Sequence, residues 1–352
     1  MPAINGKLLD KIIRFQVDLR RMEAGTRKKA LETLQSLQKE LVKELSKPDD
    51  LTSLPKYKIN EILSNISPIL IEHYSQINNE VQTDIDGVAK LEVKEAANAL
   101  KETVFVNLEV NTPTKAVIDR LSNPLVQGGP MSGWWNRQRD TLKFRFGNEV
   151  RQGILLGETN QQIIQRIVGK GDIPGIMRIA RNDAAALVHT SVHQVANDAR
   201  QAVYDQNSDV IKSFVWFTAL DSHVCKLCMG RSGLKWRNNA DKTPINHSIP
   251  FQIPPIHFQD RCVLLPETLT FEELGIDSPE MPAGTRASSF GQVDANITFD
   301  QYLSRLPKTT QDDMLGVGRA ELWRDGKISL SQLLDGRGRE LTLKQLEEKY
   351  LN

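Results

Sequence analysis

Apolar residues recur every three or four positions along most of this chain, and that period predicts helices. Leu8, Ile12, Phe15, Leu19 and Met22 form one series, and Leu34, Leu37, Leu41 and Leu45 a second. Gly25 and Thr26 punctuate the two, so separate helices are expected with Thr26 as an N-cap, the second ending at Pro48-Asp49-Asp50. Ile59, Ile62, Leu63 and Ile66 open a third helix, which Pro68 is expected to kink or to begin. Residues 80–103, rich in Ala, Glu and Lys, read as a fourth. Between 111 and 133, Pro113, Pro124, Gly128, Gly129, Pro130 and Gly133 break the period and predict a linker or long surface loop. Trp134-Trp135 then open a helix toward Leu156, with Gly157 as its C-cap and Thr159 as the N-cap of a short helix carrying Ile163, Ile164 and Ile167. A turn at 169–175 precedes a long Ala-rich helix over 176–205.

A strand pattern appears only in the middle of the chain, at 215–219, 234–236 and 262–265. Beyond Pro266 the sequence loses all period through about residue 296, where Pro279, Pro282 and Gly284 suggest an extended arm. Helical signals return at 299–306, 310–323 and 341–350, with a turn at Asp325-Gly326, a short element over 328–334 and Thr342 near the last N-cap. The expected fold is therefore α+β, mainly α, with helical N-terminal and C-terminal parts around a small β element. The expected division is an N-terminal helical region (1–110), a linker (111–133), a core (134–266), an arm (267–296) and a C-terminal helical region (297–352).

Composition narrows the function classes. A chain of 352 residues with 39% hydrophobic content can bury more than one core. Lys+Arg 45 against Asp+Glu 44 excludes a polycation built to coat nucleic acid. The local clusters Arg20-Arg21 and Arg27-Lys28-Lys29 could still meet DNA or an acidic partner, although a solvated helix face is the plainer reading. Charges interrupt the apolar positions of the first fifteen residues, so no secretory signal is expected, and no long apolar run predicts a membrane span. A soluble protein made in a cytosol, with no membrane partner, is the expectation.

All three cysteines, Cys225, Cys228 and Cys262, fall in one stretch with His257. They cannot close a disulfide framework, and their use suits a reducing compartment where thiols stay available to a metal. A Cys-x-x-Cys pair lets two thiolates converge on one ion from a tight turn, which Met229-Gly230 is expected to help. The excursion to His257 would then be closed by a structural zinc ion. Cys262 is the softer donor for the fourth position, giving the set Cys225, Cys228, His257 and Cys262. Asp260 is a hard alternative that zinc also accepts, and Asp221, His223 and His247 lie in reserve. Four protein ligands leave no open position, so the ion would be structural and the protein not an enzyme.

The enzymatic alternative is a metal-dependent HNH-type nuclease acting on DNA, with His247 or His257 as base. A second Cys-x-x-Cys is missing, however, as are a nucleophile elbow, a phosphate-binding Gly loop and a dinucleotide fingerprint. His189 and His193, four apart on one helix face, could bind zinc, but Thr190 stands where the metalloprotease signature requires Glu. They read as packing or surface histidines.

These residues resemble the phage Mu F-like minor head proteins, also called phage head morphogenesis proteins. Trp216, Asp221, Cys225, Cys228, Gly230 and Trp236 match the family's central signature, as do Pro254-Pro255, His257, Arg261 and Cys262. The departure is Asp260, where the family usually has a further Cys. Upstream, Gly157-Glu158-Thr159, residues 179–183 and Asn197-Asp198-Ala199-Arg200 resemble the segment before the knuckle. Tyr302-Leu303, Pro307, Leu315-Gly316, Arg319 and Leu341-Thr342-Leu343 resemble a C-terminal extension found in many members. The resemblance implies a virion structural protein present in few copies inside the capsid, near the portal. It implies assembly in the host cytoplasm, the portal and coat or scaffold proteins as partners, and packaged DNA as a further candidate partner in retention or ejection. Some relatives carry toxin domains such as ADP-ribosyltransferases, whose signatures this chain lacks.

Overall fold

In the computed structural model, which describes residues 6–103, 109–270, 272–273, 285–294 and 296–351, helix accounts for 60% and strand for 11%. The fold is thus α+β, mainly α, as the hydrophobic period predicts. The chain divides into two compact units. A helical unit comprises Leu19–Ala89 and Asp119–Val195, and a sheet unit comprises Met1–Asp18, Lys90–Ile118 and Ala196–Asn352.

The long helices α1 (Gly6–Leu45) and α2 (Lys56–Thr103) each merge two elements that the sequence separates. Thr26, expected to cap a helix, is instead buried inside α1. Its hydroxyl donates to Asp84 Oδ2 at 2.8 Å and sits 3.2 Å from Met22 O, and Lys29 Nζ reaches the same carboxylate at 2.9 Å. Tertiary contact to α2 thus carries α1 through Gly25, outweighing the roughly 1 kcal/mol that an interior glycine costs a helix. In α2, Pro68 lies on an exposed position and removes one backbone donor without ending the helix. Leu34, Leu37, Leu41 and Leu45 of α1 and Ile66, Leu70, Ile77, Val81 and Ile85 of α2 are buried, which is the apolar series read from the sequence continued on one face.

The stretch expected as a linker contains α3 (Lys115–Leu121) and a hairpin of β1 (Leu125–Val126) and β2 (Gly129–Pro130). Trp134 Nε1 donates to Val126 O at 2.8 Å and pins this hairpin to the start of α4 (Met131–Leu155). Gly157, at φ 67°, and a capping box between Thr159 and Gln162 set the join to α5 (Asn160–Val168). The hairpin of β3 (Gly169–Lys170) and β4 (Ile173–Pro174) fills the expected turn, and α6 (Ile176–Gln206) follows.

In the sheet unit, β5 (Ile211–Phe217), α7 (Lys226–Arg231), β6 (Lys235–Arg237), β7 (Pro244–Ile245) and β8 (Val263–Thr268) follow in turn. The strands form an antiparallel sheet in the order β7-β6-β5-β8. Trp216 and Trp236 are buried with ring centroids 6.4 Å apart, and Trp236 Nε1 donates to Ile249 O at 2.8 Å. Leu8 and Ile12 of α1 and Ala99 of α2 pack with Val263 and Leu265 of β8. Within the expected arm, β9 (Thr285–Ser288) and β10 (Gly291–Asp294) form a hairpin, while Pro279, Pro282 and Gly284 lie outside the described residues. Arg286 of β9 is buried, stacks on the Phe217 ring at 3.6 Å and donates to Thr218 O at 2.8 Å.

The tail runs through α8 (Phe299–Leu303), α9 (Lys308–Leu315) and α10 (Val317–Arg324), a 3-10 turn (Leu330–Leu333) and α11 (Leu343–Tyr350). Gly316, at φ 82°, breaks what the period presents as one helix into α9 and α10, because that left-handed conformation cannot continue a helix. Capping boxes at Thr298 and Thr342 start α8 and α11.

Candidate metal centre

Cys225 occupies the N-cap of α7 and Cys228 its first turn, so the short helix turns both sulfurs toward the incoming 254–262 loop. Cys225 Sγ and Cys228 Sγ each lie 3.2 Å from His257 Nε2. Cys225 is exposed, while Cys228 and Cys262 are buried. His257 Nδ1 lies 2.7 Å from Phe258 O, to which it donates, and this bond orients the ring so that its Nε2 faces the two sulfurs. Cys225, Cys228 and His257 form one group close enough to share an ion; Cys228, Asp260 and Cys262 form a second, overlapping at Cys228. The structure thus brings three of the four expected ligands together and places Cys262 in the second group, beside the shared Cys228.

Asp260 is 1% exposed and has a definite task. Its Oδ2 accepts from Ile256 N and its Oδ1 from Cys262 N, each at 2.9 Å, with Cys228 Sγ 3.5 Å from Oδ1. The carboxylate therefore folds the loop that presents His257 and Cys262. The reserve donors have other work. Asp221 is clamped by Arg261 through two bonds of 2.6 and 2.7 Å, and His223 N donates to Asp221 Oδ1. His247 Nε2 lies 2.8 Å from Lys235 O, and its Nδ1 accepts from Ile249 N at 3.2 Å.

The protonation pattern follows from this packing. The hydrogen bond with Cys228, against burial and with the His257 contact adding to it, holds the Cys225 thiol down at about 4. That same hydrogen bond, one with Cys262 and burial together push Cys228 upward. The Cys225 contact, opposed by burial, raises His257 to about 9. Burial pushes Cys262 up to about 11. Without an ion the cluster is one thiolate beside an imidazolium, with its remaining thiols protonated. A zinc-class ion fits these donors, being matched to thiolate and imidazole, and its binding would displace the protons held by Cys228, Cys262 and His257.

Two features that local sequence gives no sign of hold α7 in place. Arg231, 2% exposed, donates to Gln252 Oε1 at 2.7 Å and to Gly338 O at 3.4 Å, and lies over the Trp216 ring. Gly230, expected to turn the chain away, is inside α7, where an added Cβ would stand 2.6 Å from Leu334 Cγ. The C-terminal segment therefore rests directly on the knuckle helix. Elsewhere, the basic clusters of α1 are exposed and partly paired, Arg27 with Glu23, Lys28 with Glu32 and Lys29 with Asp84. No helix among the described residues is long and apolar enough to cross a membrane.

No protein-family model, curated protein or solved structure matches this chain.

Proposed function

We propose that this chain is a virion structural protein of the phage Mu F-like minor head type, held at its centre by a structural zinc ion on Cys225, Cys228, His257 and Cys262. Its work is binding: helical surfaces would meet portal and coat or scaffold proteins during head assembly. The observation that carries the reading is the signature from Trp216 to Cys262. Its aromatic residues form the sheet core, its Asp221–Arg261 pair clamps the loop, and its sulfur and imidazole donors converge beside both. A clasp at that point supplies cross-linking where the sheet is small and its connections are long.

The nuclease alternative is disfavoured by the state of its two candidate bases. Both ring nitrogens of His247 are engaged by backbone groups, and in His257 Nε2 faces the Cys225 and Cys228 sulfurs while Nδ1 bonds Phe258 O. A general base needs a free nitrogen within reach of the water or hydroxyl it activates. The test is purified full-length protein assayed for zinc content and for cleavage of duplex and single-stranded DNA across Mg²⁺ and Mn²⁺ titrations. About one knuckle-bound zinc with no cleavage supports the proposal, as does incorporation into particles assembled with portal and coat protein. Cleavage that disappears in His247→Ala or His257→Ala would overturn it. Steeply salt-dependent binding to non-specific duplex would add DNA retention to the role.

A further inference from the structure

Outside the knuckle, the helical unit holds a second group of metal-ligand side chains. His189 and His193 lie four apart on α6, so helical geometry places both on one face, with ring centroids 4.3 Å apart. From α1, Glu23 sends one oxygen, Oε2, to 3.0 Å from His189 Nδ1 and 3.6 Å from His193 Nε2. Glu23 is 6% and His193 1% exposed. The three donor atoms all lie within 4.8 Å of one another. Arg27 faces the other oxygen, Oε1, at 3.8 Å and helps keep the carboxylate oriented.

We propose that Glu23, His189 and His193 form a second site for a divalent transition-metal ion of the zinc class, joining α1 to α6. Two donors of one tetrahedral ion with bonds of about 2.0–2.1 Å stand about 3.3–3.4 Å apart. The observed 3.0 and 3.6 Å straddle that value, and the longer one is stretched for a direct N–H···O bond. Two imidazoles and a carboxylate select zinc and its transition-metal neighbours, whereas calcium and magnesium take oxygen donors. Burial of the carboxylate favours an opposite charge close to it, and a dication held by Glu23, His189 and His193 would supply one. Thr190, next to His189 on α6, offers no carboxylate for activating water, so the site works as a clip between helices.

The experiment uses the untagged full chain, stripped with chelator and titrated with Co²⁺. A site lacking sulfur gives d–d absorption without thiolate-to-cobalt charge transfer, so the two sites report separately. The expected result is one tight equivalent carrying the charge-transfer band and a second without it. Glu23→Gln and His193→Ala should each abolish the second equivalent while keeping the charge-transfer band, with helical circular dichroism showing that the helical unit of each variant remains folded. Should the knuckle itself fail to bind, a tight sulfur-free equivalent lost in these variants would still support the second site. Wild-type protein with no tight sulfur-free equivalent, or variants that retain it, would overturn the proposal. If neither variant folds, the wild-type titration alone decides.

Discussion

A buried carboxylate that packs against an arginine need not be a stabilising charge. Glu92 is 1% exposed, with Arg200 Nη1 3.4 Å from both of its oxygens. Burial outweighs the attraction of Arg200 and raises Glu92 from its ordinary 4.5 to about 7. The folded state therefore binds a proton more tightly than the unfolded chain. The associated stability is fully present below about pH 4.5 and is lost as the pH rises through about 7, on the order of 3 kcal/mol. Glu92→Gln mimics the protonated form, so it should match wild type in acid and exceed it at pH 8 in urea unfolding. A wild type more stable than the variant at pH 8 would contradict this.

Asp260 gives a second residue-scale test. It is where the chain departs from the signature of the proposed family, and the sequence leaves open whether it is a ligand. The reason is physical: its partners, the amides of Ile256 and Cys262, are defined only once the loop is folded. Asp260→Ala strands two buried N–H groups and should cost about 2–5 kcal/mol by chemical denaturation, with Asp260→Asn costing less. An alanine variant of unchanged stability that had lost its metal would make Asp260 a ligand instead of a loop anchor. Glu23 was equally out of reach of sequence reading. His189 and His193 declare themselves by spacing, but their partner comes from a different helix, and periodicity carries no information about which helices meet.

At the scale of elements, hydrophobic period located the helices well and their ends less well. The Ile163, Ile164 and Ile167 face and the caps at Thr159 and Thr342 were legible because each depends on neighbours a few residues away. The continuity of α1 was not, because it rests on Thr26 and Lys29 meeting Asp84 across a helix interface. This gives a direct check at Gly25, which is exposed and where an added Cβ would meet nothing within 4 Å. If α1 is continuous there, Gly25→Ala stabilises the protein by about 0.5–1 kcal/mol in thermal or chemical unfolding. A break at that point would make the substitution neutral or harmful. Gly230→Ala has the opposite sign. Its Cβ would collide with Leu334, so a loss of about 1–3 kcal/mol is expected, with faster proteolysis of the C-terminal segment. Unchanged proteolysis would mean that the segment does not depend on α7.

For the whole molecule, the mainly helical α+β class and the central position of the β element were readable from where period 3.6 gives way to period 2. The grouping of the chain was less so. Each of the two compact units is assembled from separated stretches, so a division made along the chain cannot recover them. The grouping of Cys225, Cys228 and His257, by contrast, was legible from the Cys-x-x-Cys spacing with a later His, whereas Cys262 groups with Cys228 and Asp260. Within the sheet unit Cys225, Cys228 and His257 lie where α7, the 254–262 loop and the C-terminal segment meet, so an ion held there, as proposed, would tie all three and its removal should loosen them together. The most direct measurement is zinc-edge X-ray absorption on untagged full-length protein, alongside Cys225→Ser. Wild type should show a sulfur shell at about 2.3 Å, diminished in the variant together with its stability. A wild-type protein that folds equally well with no metal, or whose zinc shows only nitrogen and oxygen neighbours, would contradict it.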